Sequence, residues 1–433
     1  MRIGIFIDSR NKEIGGGYSY TRTLIDFIST INSRHQFIFI ISTIDNELPL
    51  ELNHLVNYVL YNPYNTDLKE SISKRNFGII KSLRRLIRLC NFFVDKVRLN
   101  SFVLIRDILM NRISKYEDID FKDRTYFKKL IVKENISCVY YPMAFTCEDS
   151  DVPFYTTIWD LGHLNISVFP EVSINGEFES RQNILNTLVR KAHRIVAESK
   201  SGKEDICFYY NTKPDKVIVV PQFPSNLVDI VLKEDRSNDI LEKFGLKTKK
   251  YLFYPAQFWP HKNHINLIKA LSALKNEGVT IDLILTGSDK GNYEFVMNYL
   301  NSTSVRDQVR YFGFVSNEEM KVLYTNALAL VFPTLLGPTN MPILEAIACG
   351  CPVICSDFVG HREQAGEAAL YFNPENYLDI MAKIKSVSKD ETLRMKLIKN
   401  GKDIYVRNNR REAFVDLLIS FDEFENIRCT WGN

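Results

Sequence analysis

The cysteines of this sequence lack the spacings that would indicate a metal site or a disulfide framework. Of eight cysteines in 433 residues, three lie in one short apolar segment, at Cys349, Cys351 and Cys355. A Cys-Gly-Cys run lacks the two-residue spacer of zinc and redox pairs, and no His/Cys pair follows it at metal-binding spacing. We therefore expect small buried side chains beside a tight turn, no bound metal, and a reducing compartment.

Long apolar runs are also missing. The apolar stretch at the N-terminus is interrupted by Asp8 and is too short for a secretory signal peptide. No stretch approaches the ~18 apolar residues that a membrane-spanning helix needs. The sequence therefore predicts a cytoplasmic protein that is at most peripheral on the inner face of the plasma membrane.

Net charge is close to zero, at +3, and by itself says little about partners, but one segment departs from this balance. Between Lys74 and Arg112, ten basic residues face two acidic ones, a local charge of 10 − 2 = +8, with apolar residues interleaved. A basic amphipathic helical insertion over residues 70–130 suits an anionic membrane surface. The alternative is an insertion whose apolar face packs on its own domain. Nucleic acid is not expected, because no binding motif is present.

Short apolar runs alternate with helical patterns in both halves of the chain. Strands are predicted at residues 3–7, 37–41, 137–141, 154–158, 195–197, 217–220, 251–254, 281–285, 309–312, 327–332 and 352–355. This alternation predicts α/β domains with mainly parallel sheets. We assign residues 1–224 to a first domain, 225–250 to a polar linker, 251–409 to a second domain, and 410–433 to a C-terminal helix that crosses back to the first domain.

The most informative stretch covers residues 332–357. A strand ends at its start, a loop rich in glycine and proline follows, and a helix begins near Pro342. The backbone N–H groups expected to be free at that helix start belong to Thr339, Asn340 and Met341. Together with the helix dipole they predict a site for a diphosphate. Glu345, one turn further on, is a candidate acceptor for a ribose or sugar hydroxyl, and its alternative is a surface carboxylate.

A second candidate stretch, residues 254–264, is the loop after the first strand of the second domain. Ligands of doubly wound sheets bind outside the carboxyl ends of the strands. Lys262 in this loop can neutralise a phosphate and stabilise the charge of a leaving diphosphate. Its alternative is an ordinary exposed lysine. His261 and His264 lack a third metal ligand, and we expect structural roles for both.

Together these two stretches resemble glycosyltransferase family 4, whose members have the GT-B fold. Further similar stretches lie at residues 15–18, 217–221, 309–320 and 370–374, so the resemblance extends from residue 1 to about 374 around the basic insertion. The resemblance implies two Rossmann-like domains that face each other across a cleft. It also implies that the second domain binds a nucleotide sugar and the first domain binds the acceptor.

Family members usually carry an arginine five residues before the lysine, and a glutamate eight residues before the helix glutamate. Lys262 and Glu345 match and are the predicted catalytic residues, but Gln257 and Gly337 replace the other two. Glutamine donates a hydrogen bond but does not neutralise charge. Either the chain represents a subfamily in which Asn340 or Thr339 contacts the donor sugar, or its catalysis is weak or absent. The predicted donor or diphosphate contacts are Gln257, Gly287, Phe314, Thr339, Asn340 and Met341.

Contacts to the acceptor or donor sugar are predicted in the first domain. Asp160 and His163 follow a strand, and many family members have a His-Asp pair where Trp159 and Asp160 stand. The alternative is that Asp160 caps a turn and His163 packs beside it. Gly16 and Gly17 lie in a predicted loop where a missing Cβ allows a ligand to approach, or where the chain simply turns.

By resemblance, the chain is a retaining glycosyltransferase that moves a sugar from a nucleoside-diphosphate sugar to a saccharide or lipid-linked acceptor, with no metal or other cofactor. The basic segment adds the expectation of bacterial surface polysaccharide assembly, in lipopolysaccharide, O antigen or capsule. One alternative is a non-catalytic sugar-nucleotide-binding subunit, which the residues at 257 and 337 keep open. Another is a sugar-nucleotide epimerase on the same fold, which would need acid/base carboxylates in the cleft.

Overall fold

A computed structural model describes residues 1–8, 15–43, 48–49, 52, 54–62, 124–143, 151–407 and 410–431. The basic segment 74–112 and most of the predicted insertion lie outside these ranges, so their helical structure and membrane contact stay predictions. Within the described ranges, no helix is both long enough and apolar enough to span a bilayer.

The first half of the chain builds a seven-stranded parallel sheet. Its strands are β1 (Arg2–Asp8), β2 (Gln36–Ser42), β3 (Tyr58–Tyr61), β4 (Cys138–Tyr141), β5 (Phe154–Ile158), β6 (Arg194–Ala197) and β7 (Val217–Val219). They lie in the order β3-β2-β1-β4-β5-β6-β7. The inner strands are almost wholly buried, as expected for parallel strands covered on both faces.

Helices cover this sheet, and one of them corrects the predicted glycine loop. The helices are α1 (Gly15–Thr30), α2 (Arg124–Lys133), α3 (Gly162–Asn165), α4 (Pro170–Ser173), α5 (Glu177–Lys191) and α6 (Lys200–Tyr210). The prediction that Gly16 and Gly17 lie in a loop is wrong, because both residues lie in the first turn of α1. The buried side chains of Tyr20, Leu24 and Ile28 recur at helical spacing, and their packing outweighs the low helix propensity of the glycines.

The second half builds a six-stranded parallel sheet, which confirms the predicted pair of α/β domains. Its strands are β8 (Tyr251–Pro255), β9 (Asp282–Thr286), β10 (Val309–Tyr311), β11 (Ala329–Phe332), β12 (Val353–Ser356) and β13 (Ala369–Phe372). Their order is β10-β9-β8-β11-β12-β13, so the chain reverses its direction across the sheet between β8 and β11.

The helices of this half surround the second sheet. They are α7 (Glu234–Lys243), α8 (His264–Asn276), α9 (Tyr293–Asn301), α10 (Asn317–Asn326), α11 (Met341–Ala348), α12 (Val359–Ala365), α13 (Tyr377–Lys389), α14 (Glu391–Arg407) and α15 (Arg410–Arg428). Ser316 and Glu319 form the predicted capping box of α10. The predicted linker 225–250 contains α7, whose Ile240 and Leu241 are buried in the core of the second half, so this segment is not an extended connection.

The last helix, α15, packs against the first sheet rather than the second. Phe414, Leu417, Phe421 and Phe424 are buried in one apolar cluster with residues of β1 and β2. The Tyr155 hydroxyl on β5 donates a hydrogen bond of 2.9 Å to the carbonyl of Ser420. The end of the chain therefore joins the two halves by burying its aromatic face.

Candidate functional site

The candidate residues of the second half collect at one edge of its sheet. Gln257 and Lys262 follow β8, Gly287 follows β9, and Phe314 follows β10. The loop between β11 and α11, residues 333–340, is called the diphosphate loop because the sequence predicts a diphosphate site at its end. These four strands are neighbours, so their following loops meet at the carboxyl edge of the sheet. The reversal between β8 and β11 is the position where doubly wound sheets form a ligand crevice.

Lys262 lies at this reversal and reaches from one loop to the other. It ends a 3-10 turn at Pro260–Lys262, and its Nζ donates a hydrogen bond of 3.1 Å to Asn340 Oδ1. The ammonium group also lies 5.0 Å from the centre of the Phe332 ring. Burial lowers the pKa of Lys262 to about 8, against the opposing effect of nearby Asp160 and Glu171. Lys262 is therefore a partly buried cation, not an ordinary exposed lysine.

Hydrogen bonds fix the loop that carries this lysine. The Leu335 N–H donates to the carbonyl of His261 at 2.7 Å, which joins the loop after β8 to the loop after β11. The Asn263 side chain donates to the carbonyls of Pro333 and Pro374, at 2.9 and 2.8 Å. The position of Lys262 is thus set by backbone groups of two neighbouring loops.

Protein groups at the start of α11 form more hydrogen bonds than the sequence predicts. The Asn340 N–H donates a hydrogen bond of 2.9 Å to Gln364 Oε1, so the prediction that this group is free is wrong. The reason is that α12 packs behind the loop, a contact that sequence spacing does not reveal. The Thr339 hydroxyl donates to a carboxylate oxygen of Glu198, and the Met341 side chain is buried in the apolar cluster of the first half.

Glu345 is buried, which excludes the surface carboxylate considered for it. Only 5% of the residue is exposed, and its two oxygens accept hydrogen bonds from Ser225 Oγ at 2.5 Å and Tyr324 Oη at 2.8 Å. Burial raises the pKa of Glu345, and these two hydrogen bonds partly oppose the shift. Its contact with a ribose or sugar hydroxyl stays a prediction, because both oxygens already have protein partners in this structure.

The remaining predicted donor contacts form a compact group. Gly287 has φ +125°, and a Cβ there would lie 2.5 Å from the Ala256 carbonyl oxygen, so glycine is required at this close approach. The Gly287 N–H donates to the Gly313 carbonyl at 2.9 Å. Phe314, the next residue, is 92% exposed and presents an uncovered aromatic ring. Gln257 accepts a hydrogen bond from Trp259 Nε1 at 3.0 Å, which fixes its amide.

Gly337, which stands where a glutamate was expected, has an unusual backbone conformation. Gly337 has φ +106°, a conformation that L-residues rarely adopt, and a Cβ there would lie 3.3 Å from Asn340 Nδ2. A glutamate at this position would therefore be strained in the observed loop. The observed loop thus lacks the carboxylate and has a backbone conformation that disfavours one.

Glu198, which the first half contributes to the site, was not predicted from the sequence. It follows β6 directly, is 7% exposed, and accepts hydrogen bonds from Thr339 Oγ1 and from Gln222 Nε2. Burial raises the pKa of Glu198 to about 8. Its position immediately after a predicted strand was a signal for this role, but its partner lies 141 residues away in sequence.

The predicted residues Asp160 and His163 make the contacts of the structural alternative. Asp160 Oδ1 accepts the Gly162 N–H at 2.8 Å, which closes a turn before α3. His163 is fully buried, with Nε2 at 3.2 Å from Gln182 Oε1. Their contacts with a sugar, and those of Gly16 and Gly17, stay predictions.

Other contacts hold the two halves together around the site. The Glu171 carboxylate of α4 accepts hydrogen bonds from the ring Nδ1 and the backbone N–H of His261, next to Lys262. Glu363 of α12 accepts the N–H groups of Lys200 and Ser201 at the start of α6, at 2.7 and 2.8 Å. The structure thus has the two halves in direct contact beside Lys262.

Metal-binding side chains do not converge at Lys262 among the described residues. In the described part of the chain, three potential metal ligands come together at His35, Asp422 and Glu425, where α15 contacts the first sheet. The carboxylates of this cluster are paired with Arg34 and with the N-terminal ammonium group. This cluster is therefore explained as an ion-pair network that anchors α15.

Sequence comparison connects the second half with a known family. Residues 237–404 match the family described as "Glycosyl transferases group 1". The O-antigen chain mannosyltransferase B of Escherichia coli is 25% identical over 242 residues, which are 53% of this chain and 61% of that protein. The O-antigen chain mannosyltransferase RfbU of Salmonella typhimurium is 26% identical over 206 residues, 48% of this chain and 54% of the relative.

A third relative is the N,N'-diacetylbacillosaminyl-diphospho-undecaprenol alpha-1,3-N-acetylgalactosaminyltransferase of Campylobacter jejuni. It is 24% identical over 217 residues, 48% of this chain and 55% of that protein. The matched region thus spans little more than half the length of these curated relatives.

Solved structures match over nearly the whole chain. Sucrose-phosphate synthase from Thermosynechococcus elongatus has a TM-score of 0.67 at 15% identity and covers 99% of both chains. WaaG, a glycosyltransferase involved in lipopolysaccharide biosynthesis, has a TM-score of 0.61 at 12% identity and covers 96% of this chain and 99% of its own. Anabaena HepE in complex with UDP-glucose has a TM-score of 0.64 at 12% identity, covering 98% and 99%. At this identity the likeness shows the fold, which is GT-B. Residues 237–404 are therefore similar to the glycosyl transferases group 1 family, and the chain as a whole has the GT-B fold.

Proposed function

We propose that this protein transfers a sugar from a nucleoside-diphosphate sugar to a saccharide or lipid-linked acceptor during assembly of a bacterial surface polysaccharide. The observation that carries the proposal is the meeting of Lys262 with the start of α11, at 3.1 Å from Asn340. A cation and a helix N-terminus placed together suit a diphosphate. The names of the relatives support the surface polysaccharide.

The chemistry follows from the charge that develops on the leaving group. As the sugar–oxygen bond breaks, the diphosphate gains negative charge, and a fixed ammonium group stabilises that charge in the transition state. An ammonium group has three donors, and Lys262 uses one on Asn340. The others can be directed to phosphate oxygens. Contact of the two halves excludes water and holds the acceptor hydroxyl near the anomeric carbon.

Retention of configuration without a metal is part of the proposal. In front-face transfer the leaving diphosphate takes the proton of the acceptor hydroxyl, so the enzyme needs no nucleophile of its own. This suits a loop in which glycine occupies position 337 and both Glu345 oxygens accept protein hydrogen bonds. The proton NMR coupling of the new anomeric centre tests retention. Unchanged turnover after chelator treatment tests metal independence, and an inverted product or chelator-sensitive activity would contradict these parts.

A donor screen tests transfer itself. Release of nucleoside diphosphate is measured from GDP-mannose, UDP-glucose and UDP-N-acetylhexosamines, with membrane extract as acceptor source. GDP-mannose is tested first, because two relatives are named mannosyltransferases. We expect release from one donor by the wild type, its loss in Lys262→Ala, and its retention in Lys247→Ala, which removes an exposed lysine of the same half.

The same screen addresses a non-catalytic role, which Gln257 and Gly337 favour because neither supplies the charge usual in the family. Tight binding of one donor without release, even with acceptor present, would replace the transferase by a sugar-nucleotide-binding subunit. Interconversion of free donors without an acceptor would indicate an epimerase. Absence of both binding and release would contradict the proposed site.

Membrane association through the basic segment is a separate part of the proposal. The +8 charge of residues 74–112 and their apolar residues would hold the protein near a lipid-linked acceptor. Flotation with vesicles containing anionic lipid, compared with neutral vesicles, measures this. We expect recovery with the anionic vesicles alone, decreasing with added salt. Equal recovery with anionic and neutral vesicles, or no recovery with either, would contradict membrane association through this segment.

A further inference from the structure

Helix α12 (Val359–Ala365) lies directly behind the loop that contains Asn340. Three of its residues contact this loop, two at adjacent positions and one a turn later. A Cβ on Gly360 would lie 1.8 Å from the Pro338 carbonyl oxygen. The Gln364 side chain accepts the Asn340 N–H at 2.9 Å. His361 lies between them and is fully buried. The helix therefore acts as a support for the loop.

His361 forms a directed chain of hydrogen bonds that ends at Lys262. Its Nδ1 lies 2.8 Å from the carbonyl oxygen of Ser356, which can only accept, so Nδ1 carries the proton. A neutral ring then leaves Nε2 as an acceptor, and Asn340 Nδ2 donates to it at 2.9 Å. The Asn340 amide is thereby oriented with its oxygen toward Lys262 Nζ, at 3.1 Å. Each step fixes the next.

We propose that His361 is a positioning residue, whose neutral Nδ1–H form orients the Asn340 amide so that its oxygen holds the Lys262 ammonium group at the diphosphate site. This inference rests on the proposed function of that site. The opposite amide orientation would direct an NH₂ group at the ammonium, which is unfavourable between two donors. His361 acts through Asn340 and does not itself contact the substrate.

The surroundings of the ring keep it neutral. Burial lowers the pKa of His361 to about 4; Lys262 adds to the effect, while the hydrogen bond to Ser356 and the nearby Asp357 oppose it. The rings of Phe332 and Phe358 lie 6.4 and 5.2 Å from the imidazole centre. An ionised ring would donate from both nitrogens and would force the Asn340 amide to reverse.

The tautomer is measured directly by long-range ¹H–¹⁵N NMR of the histidine side chains, independent of any ligand. The His361 signal is assigned by its loss in His361→Gln. We expect a neutral Nδ1–H imidazole that does not titrate between about pH 5.5 and 8. A protonated Nε2, or a ring that becomes charged in this range, would overturn the inference without affecting the proposed function.

The effect of His361 on the diphosphate site is measured by nucleotide binding. GDP and UDP are titrated by calorimetry into wild type, Lys262→Ala, His361→Leu and His361→Gln. Leucine fills the space without hydrogen bonds, whereas glutamine offers an NH₂ donor group and an oxygen acceptor. We expect affinity on the order of tenfold weaker in His361→Leu, since a hydrogen bond to a charged group loses its orientation, and recovery in His361→Gln.

The outcomes separate the two proposals. If the wild type binds neither nucleotide, the proposed function fails. If Lys262→Ala weakens binding and His361→Leu does not, the positioning role fails and the site remains. Equal weakening in the leucine and glutamine variants, with equal loss of thermal stability, would show a packing role only and would also overturn the inference.

Discussion

At the scale of single residues, Gly337 stands where the resemblance to glycosyltransferase family 4 leads us to expect a glutamate. Its φ of +106° and the nearby Asn340 side chain leave little room for a glutamate. We predict that Gly337→Glu does not increase donor turnover and lowers the free energy of unfolding by about 1–3 kcal/mol, because the side chain imposes backbone strain. Urea denaturation and the nucleotide-release assay measure the two effects.

The matched control is Gly337→Ala, which adds the strain without the carboxylate. Both variants should lose similar stability. A glutamate variant that is as stable as wild type and turns over donor faster would show that the glycine is a simple loss of the family residue, and that the loop accepts the family's usual arrangement.

Sequence alone identified single residues when their signal was local. Lys262 and Asn340 were predicted from their loops, and the structure brings them together. Glu198 and His361 were missed, because each acts through a partner that only the fold supplies. The prediction of a free Asn340 N–H was wrong for the same reason, since Gln364 reaches it from another helix.

At the scale of elements, α12 is predicted to set the shape of the diphosphate loop. Gly360→Ala places a Cβ where the Pro338 carbonyl oxygen now lies, at 1.8 Å, so the helix or the loop must move. We expect a loss of about 1–3 kcal/mol in the free energy of unfolding, typical of overpacking, together with weaker nucleotide binding. Denaturation and calorimetry measure both.

Val359→Ala provides the control on the same helix, because Val359 is 66% exposed. It should leave stability and binding close to those of wild type. If Gly360→Ala binds nucleotide as tightly as Val359→Ala does, the contact between α12 and the loop does not determine the geometry of the site.

Strands were predicted well at this scale because buried parallel strands form short continuous apolar runs. The strands that were missed, β3 and β13, lie at the outer edges of their sheets, and both are only four residues long. The start of α1 was missed because glycine signals turns in sequence, whereas here the packing of the following residues extends the helix.

At the scale of the whole molecule, contacts between the halves surround the site. Glu198 is a titratable residue in one of these contacts, because it accepts a hydrogen bond from Thr339. Burial raises its pKa from 4.5 to about 8, so the folded protein binds a proton that the unfolded chain releases across this range. The contribution of Glu198 to the free energy of unfolding is therefore fully present below about pH 4.5 and is lost as the pH rises to about 8.

Glu198→Gln should therefore reduce the loss of stability on raising the pH from about 5 to 8. The expected difference in slope is up to about 1.4 kcal/mol per pH unit, the value for one proton. Urea denaturation at several pH values measures it, with Glu204→Gln, an exposed carboxylate of α6, as control. Identical slopes in Glu198→Gln and wild type would show that this carboxyl ionises freely in the folded protein.

The proposed function requires that a nucleoside diphosphate bind between the two loops at the reversal of the second sheet. A crystal structure grown with GDP or UDP would show where the nucleotide binds. We predict the diphosphate beside Lys262 Nζ at the start of α11, with the base toward Phe314. A nucleotide bound elsewhere, or a site that neither nucleotide enters, would contradict the account.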